Sequence, residues 1–181
     1  MVDLVLLQTV SYIAGALGVC VAAVYYAVTL KEQSRNRKIA LTNSVVQQIG
    51  SEAGVREVIT QFQMNWKDLQ DFREKYDSST NLDNSTLRHH YWLQMDTLGY
   101  LLKNGFVDRE IIYISGGWMA MMLWVRFKPL IEEFRRTEMG LDAYTYFEYL
   151  AGEMYRMKLG RDPDYPSHTG RSREEWEEAF A

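Results

Sequence analysis

The sequence predicts an all-α protein: a single N-terminal transmembrane helix extended into a cytoplasmic α-helical bundle. Three observations point there. An uncharged apolar run lies near the N-terminus. Apolar residues after it recur at steps of three and four, and no stretch shows the period-two alternation of a half-buried strand. The whole-chain averages hide this: 181 residues, 47% hydrophobic, 24% charged and a mean hydropathy of -0.29 suit an ordinary soluble chain. Other totals exclude classes. An aromatic content of 13% is too high for a disordered chain, and one cysteine rules out a disulfide scaffold or a cysteine zinc cluster. A net charge of -4 argues against nucleic-acid binding by bulk charge.

The anchor comes first, as residues 1–30. From Val10 to Leu30 no residue is charged, and only Ser11 and Thr29 carry hydroxyls apart from the tyrosines. About 21 helical residues at 1.5 Å each cover the hydrocarbon core of a bilayer. Tyr12, Tyr25 and Tyr26 lie towards the ends, where amphipathic rings favour the headgroups. A cleaved signal peptide fits poorly, since only Asp3 is charged before the run and the run is too long. Lipoprotein processing at Cys20 would want a small residue where Val19 stands. Lys31, Arg35, Arg37 and Lys38 follow against Glu32 alone, so the positive-inside rule puts the N-terminus outside and the C-terminal domain in the cytoplasm. Within the run, Ser11, Gly15, Gly18 and Ala22 are small residues at four-residue spacings, which permit close helix pairing.

Residues 31–50 read as a basic juxtamembrane helix, with Ile39, Val46 and Ile49 at helical spacing and a break at Gly50–Gly54. Residues 51–160 read as the bundle. Its first helix is expected over 55–76, with Val55, Val58, Ile59, Phe62, Trp66 and Leu69 on one face. A polar loop precedes a helix from near Ser85 to Gly105, a residue suited to a helix C-terminus. Asp108 is an N-cap for the next helix. That helix holds the uncharged run 111–125, too short to cross a bilayer and weakened at Gly116 and Gly117, so it reads as the buried centre of the bundle, its methionines core filler. It is expected to reach Arg136 with a kink at Pro129. Asp142 would cap the last long helix, over 143–158. Residues 161–181 read as a polar tail, in which Ser172 and Glu175 form a capping-box pattern before a short acidic helix carrying Trp176 and Phe180.

The segment from Leu98 to Tyr155 is distinctive. It holds Leu98-Gly99-Tyr100-Leu101-Leu102-Lys103-Asn104-Gly105-Phe106-Val107-Asp108, then Trp124, Lys128-Pro129-Leu130-Ile131, Arg135 and Tyr146-Phe147-Glu148-Tyr149-Leu150. It resembles a family of small bacterial and archaeal proteins classed as a domain of unknown function. That resemblance implies one N-terminal membrane helix and a cytoplasmic helical domain, and brings no activity or catalytic residues.

The residues themselves offer little chemistry. Phosphate-binding loops, nucleophile elbows and His-Glu-x-x-His zinc motifs are absent from the sequence. His89 and His90 are adjacent and point about 100° apart on a helix, so they chelate poorly together. Arg161 and His168 are the weak catalytic candidates. Their spacing is similar to the arginine–polar…histidine pattern of small helical ribonucleases, where histidine moves a proton and arginine stabilises phosphate charge. The leading expectation is an interaction, scaffold or regulatory protein at the cytoplasmic face of the membrane, more an adaptor than an enzyme. Its expected partners are the lipid bilayer and either another protein or a second copy; neither nucleic acid, a cofactor nor a metal is expected. The alternatives are a membrane-tethered nucleic-acid-processing or defence enzyme using Arg161 and His168, and a small structural subunit of a larger membrane complex.

Overall fold

The computed structural model describes residues 4–180. Among them the regular structure is entirely helical: α1 (Leu4–Ile49), α2 (Glu52–Gln63), α3 (Leu69–Tyr76), α4 (Leu82–Lys103), α5 (Arg109–Ile112), α6 (Met119–Phe134), α7 (Thr145–Arg161), α8 (Tyr165–His168) and α9 (Arg173–Glu178). Two π-helical segments, Tyr113–Gly117 and Arg135–Met139, flank α6. The chain divides into two compact units, the second beginning at Leu41.

In the first unit, α1 is long and apolar enough to cross a membrane. Every residue from Leu4 to Val28 is exposed. Two of its hydroxyls bond back one turn: Thr9 Oγ1 donates to the Val5 carbonyl and Ser11 Oγ to the Leu7 carbonyl, each at 2.9 Å. Such bonds to the preceding turn let a hydroxyl residue sit in an apolar helix without an orphaned donor.

The second unit is built on α4, α6 and α7. Trp92, Met95 and Leu98 of α4, Met121, Trp124 and Phe127 of α6, and Phe147, Leu150 and Met154 of α7 are buried together. The rings meet edge to face: Trp124 on Phe147 with centroids 5.2 Å apart, and Trp92 on Phe127 at 5.3 Å. At Gly99 the crossing of α4 with the start of α7 is so close that an added Cβ would lie 1.8 Å from the Tyr146 carbonyl oxygen. Only glycine fits there.

Several local signals act as the sequence predicts. Gly105, at φ +72°, ends α4 in a Schellman motif, with Phe106 N–H bonded to the Leu101 carbonyl and Gly105 N–H to that of Leu102. The Asp108 carboxylate accepts from the N–H groups of Glu110 and Ile111. Ser172 and Glu175 form the reciprocal capping box. Gly116, at φ +99°, makes the expected interruption before α6.

Elsewhere the structure corrects the reading. The helix expected over 55–76 is two helices, because Asp68 caps α3 through the Asp71 N–H at 2.9 Å. The bend between them seats Trp66 against Phe127, rings stacked at 5.1 Å, and leaves Val55 and Ile59 exposed. Helix α4 starts at Leu82 rather than Ser85, capped by Asn81. The run towards Arg136 stops being α-helical after Phe134, although α6 passes through Pro129 unbroken. Asp142 does not cap α7 with its side chain. The helix begins at Thr145 after Tyr144, the one non-glycine residue at positive φ (57°) among the described residues, and extends to Arg161 rather than 158. Its cap comes from α4: Asp96 Oδ1 accepts from the N–H groups of Tyr146 (2.8 Å) and Phe147 (2.9 Å). A carboxylate at that end also suits the helix dipole.

The tail folds back on this unit. Trp176 is buried and stacks on Tyr155, with centroids 5.3 Å apart and planes 9° from parallel, and Phe180 stacks on the same ring. The Trp124 indole donates to the Ala179 carbonyl at 3.1 Å.

Candidate functional site

The first candidate surface is the apolar face of α1. Leu17 is 61% exposed, and the most apolar window of this helix has no buried residue. Ser11, Gly15, Gly18 and Ala22 are all exposed, with nothing within 4 Å of where a Cβ would stand on either glycine. Lys31, Arg35, Arg37 and Lys38 follow on the same helix.

The second is a groove inside the bundle unit, about 200 Å³ in volume, between the end of α1 and α4. Val45 and Ile49 wall one side, and Leu93, Leu98 and Leu101 the other. His90 stands at its edge. Glu57, on α2, accepts a 2.7 Å hydrogen bond from His90 Nδ1, and the Gln94 amide nitrogen lies 3.1 Å from His90 Nε2. The nearly buried Glu57 therefore fixes the ring orientation of an exposed histidine. Glu57 Oε2 has no hydrogen-bond partner among the described residues.

Helix α4 also carries a buried polar cluster. Arg88 is 1% exposed and has no carboxylate within ion-pair distance among the described residues. Its guanidinium donates to the Tyr76 carbonyl (3.1 Å) and to Ser85 Oγ (3.4 Å), and lies over the rings of Phe72 (4.8 Å) and Trp92 (5.3 Å). Burial pushes it down to about 10, with Asp77 opposing, so it keeps its charge at neutral pH. Beside it, burial and then the Arg88 charge push His89 down to about 4. His89 Nδ1 shares a 2.9 Å hydrogen bond with the Tyr144 hydroxyl, itself raised by burial. The bond ties α4 to Tyr144, which stands in a left-handed conformation at the entry to α7.

A model for a domain of unknown function, DUF4760, matches residues 12–154. The chain belongs to this family. In this DUF4760 protein the match takes in most of the apolar run and the bundle as far as Met154, and leaves out α8 and α9. No curated protein and no solved structure matches the chain.

Of the DUF4760 protein's sequence-derived candidates, Arg161 is engaged elsewhere: it pairs with Glu110 and lies over the Tyr113 ring, 4.3 Å from the centroid. His168 is 64% exposed and 3.8 Å from Asp162 Oδ2. No hydrogen bond or ion pair joins Arg161 to His168 among the described residues. His89 is half-buried and His90 exposed. Glu57, Asp96 and Tyr144 were not legible as site residues, because their partners are 33, 50 and 55 positions away along the chain.

Proposed function

We propose that this protein is a single-pass membrane protein whose helical bundle works at the cytoplasmic face as an interaction or regulatory module. The observation that carries the reading is the uncovered apolar length of α1, from Leu4 onward. An exposed apolar surface of that size is a binding surface, and lipid is the solvent that suits a helix apolar on all sides. The basic cluster at Lys31, Arg35, Arg37 and Lys38 supports the orientation, because cytoplasmic flanks carry the excess of lysine and arginine. The groove between α1 and α4 supports the interaction role, as a concave apolar recess with a few oriented polar groups at its edge.

Protease added outside intact cells leaves the bundle uncut in this account; digestion of the bundle overturns the orientation. Crosslinking in native membranes yields a defined crosslinked species, and Thr97→Arg, which places a charge in the groove, changes its pattern. Only uncrosslinked monomer at near-native expression overturns the interaction role.

A further inference from the structure

The stretch of α1 just after the apolar run carries its own pattern. At about 100° per residue, Gln33, Asn36 and Ala40 share a lane roughly 60° wide. Lys31, Arg35 and Lys38 lie on the far side of the helix from it. Glu32 and Arg37 stand on opposite edges, each about 40° outside the lane. Gln33, Asn36, Ala40, Glu32 and Arg37 are all exposed, and no ion pair engages Glu32 or Arg37 among the described residues. Five residues apart, these two charges are not neighbours on their own helix, where pairs form at three and four. Five is the spacing at which the flanking g and e positions of two parallel helices meet across a seam.

We propose that α1 pairs in parallel and in register with α1 of a second copy along Gln33, Asn36 and Ala40, with Glu32 of each copy facing Arg37 of the other. The proposal rests on the membrane-anchor reading, since a shared bilayer gives both copies one orientation. Charge and hydrogen-bonding chemistry select this occupant. The lane is the sector in which the basic residues of two identical helices point away from each other. A carboxamide has both donors and acceptors and so complements itself, and parallel register sets Gln33, at an a position of the seam, against Gln33 and Asn36 against Asn36, polar pairs that other registers leave unmatched. Two-fold symmetry forms the Glu32–Arg37 contact twice. Ser11, Gly15, Gly18 and Ala22 fall in the same sector of the apolar run and leave room for close approach, without supplying the specificity.

The test is a cysteine scan of the full chain in isolated membranes, in a Cys20→Ser background, under copper-phenanthroline oxidation. Single cysteines at positions 33, 36 and 40 give severalfold more disulfide dimer than those at 34, 35 and 38. With the cysteine at 36, Glu32→Lys lowers the dimer yield and adding Arg37→Glu restores it. A flat profile, a maximum at 34, 35 or 38, or no restoration by the double charge swap overturns the pairing. If the protein still resists carbonate extraction, the anchor stands without it. Protein recovered in the carbonate supernatant removes the anchor and the pairing together.

Discussion

Leu17 and Leu98 are the same residue in opposite circumstances. Leu98, on α4, is 2% exposed among Trp92, Met95 and the helices packed on them, while Leu17, on α1, is 61% exposed. Burying a leucine is worth about 1.5–3 kcal/mol. The bundle collects that gain from its own side chains; the first unit leaves it uncollected along more than twenty residues. The glycines differ in the same way. Gly99 is fixed by a backbone crossing, whereas Gly15 and Gly18 have empty space around them. One unit is specified by internal fit, and the other leaves its apolar surface uncovered by the described residues.

The largest expected effect sharpens that contrast. Gly99→Ala drives a methyl into the Tyr146 carbonyl and separates α4 from α7, at a cost of about 3 kcal/mol or more. Gly15→Ala leaves the thermal midpoint of the bundle unchanged. Circular-dichroism melts of both variants in detergent check this, and an equal loss in the two would break the distinction. Next comes Arg88→Ala, which strands the Tyr76 carbonyl and opens a void between Phe72 and Trp92, for about 2–3 kcal/mol. Arg88→Met keeps the bulk and costs less in denaturant titrations, since burying a charge is itself expensive. Asp96→Ala removes the two bonds that cap α7 and costs about 1–2 kcal/mol by the same titration.

The smallest effect is one of pH. The folded value of His89 is about 4, below its ordinary 6.5, so the unfolded chain binds the extra proton first as pH falls. The stabilisation is complete above about 6.5 and is lost as pH drops towards 4. Discounted for partial exposure, the loss is about 1 kcal/mol. Denaturant midpoints measured across that window fall with pH in the wild type, and His89→Gln flattens the slope.

What the sequence made legible was local. Asp108, Gly105 and the Ser172–Glu175 pair act on backbone groups within a few residues, so spacing alone locates them. The apolar run was legible because its length and composition can be read along the chain without knowing any packing partner. Asp68 was hidden because the apolar period continues across it through Trp66 and Leu69, while the bend depends on a stacking partner, Phe127, far along the chain. Proximity along the chain points to Asp142 as the cap of α7, and tertiary structure supplies Asp96 instead. Glu57 and His90 sit on different helices, so their pairing waits on the packing of α2 against α4.

The central claim is that the first unit belongs in lipid and the second stands on its own core. It is tested by expressing the full chain beside a variant lacking residues 4–30 and comparing them by flotation and carbonate extraction. The full chain should float with the membranes and resist carbonate, and the shortened chain should be soluble with the same thermal midpoint as the detergent-held parent. A full chain that is monodisperse in the aqueous supernatant, without lipid or detergent, would contradict the account.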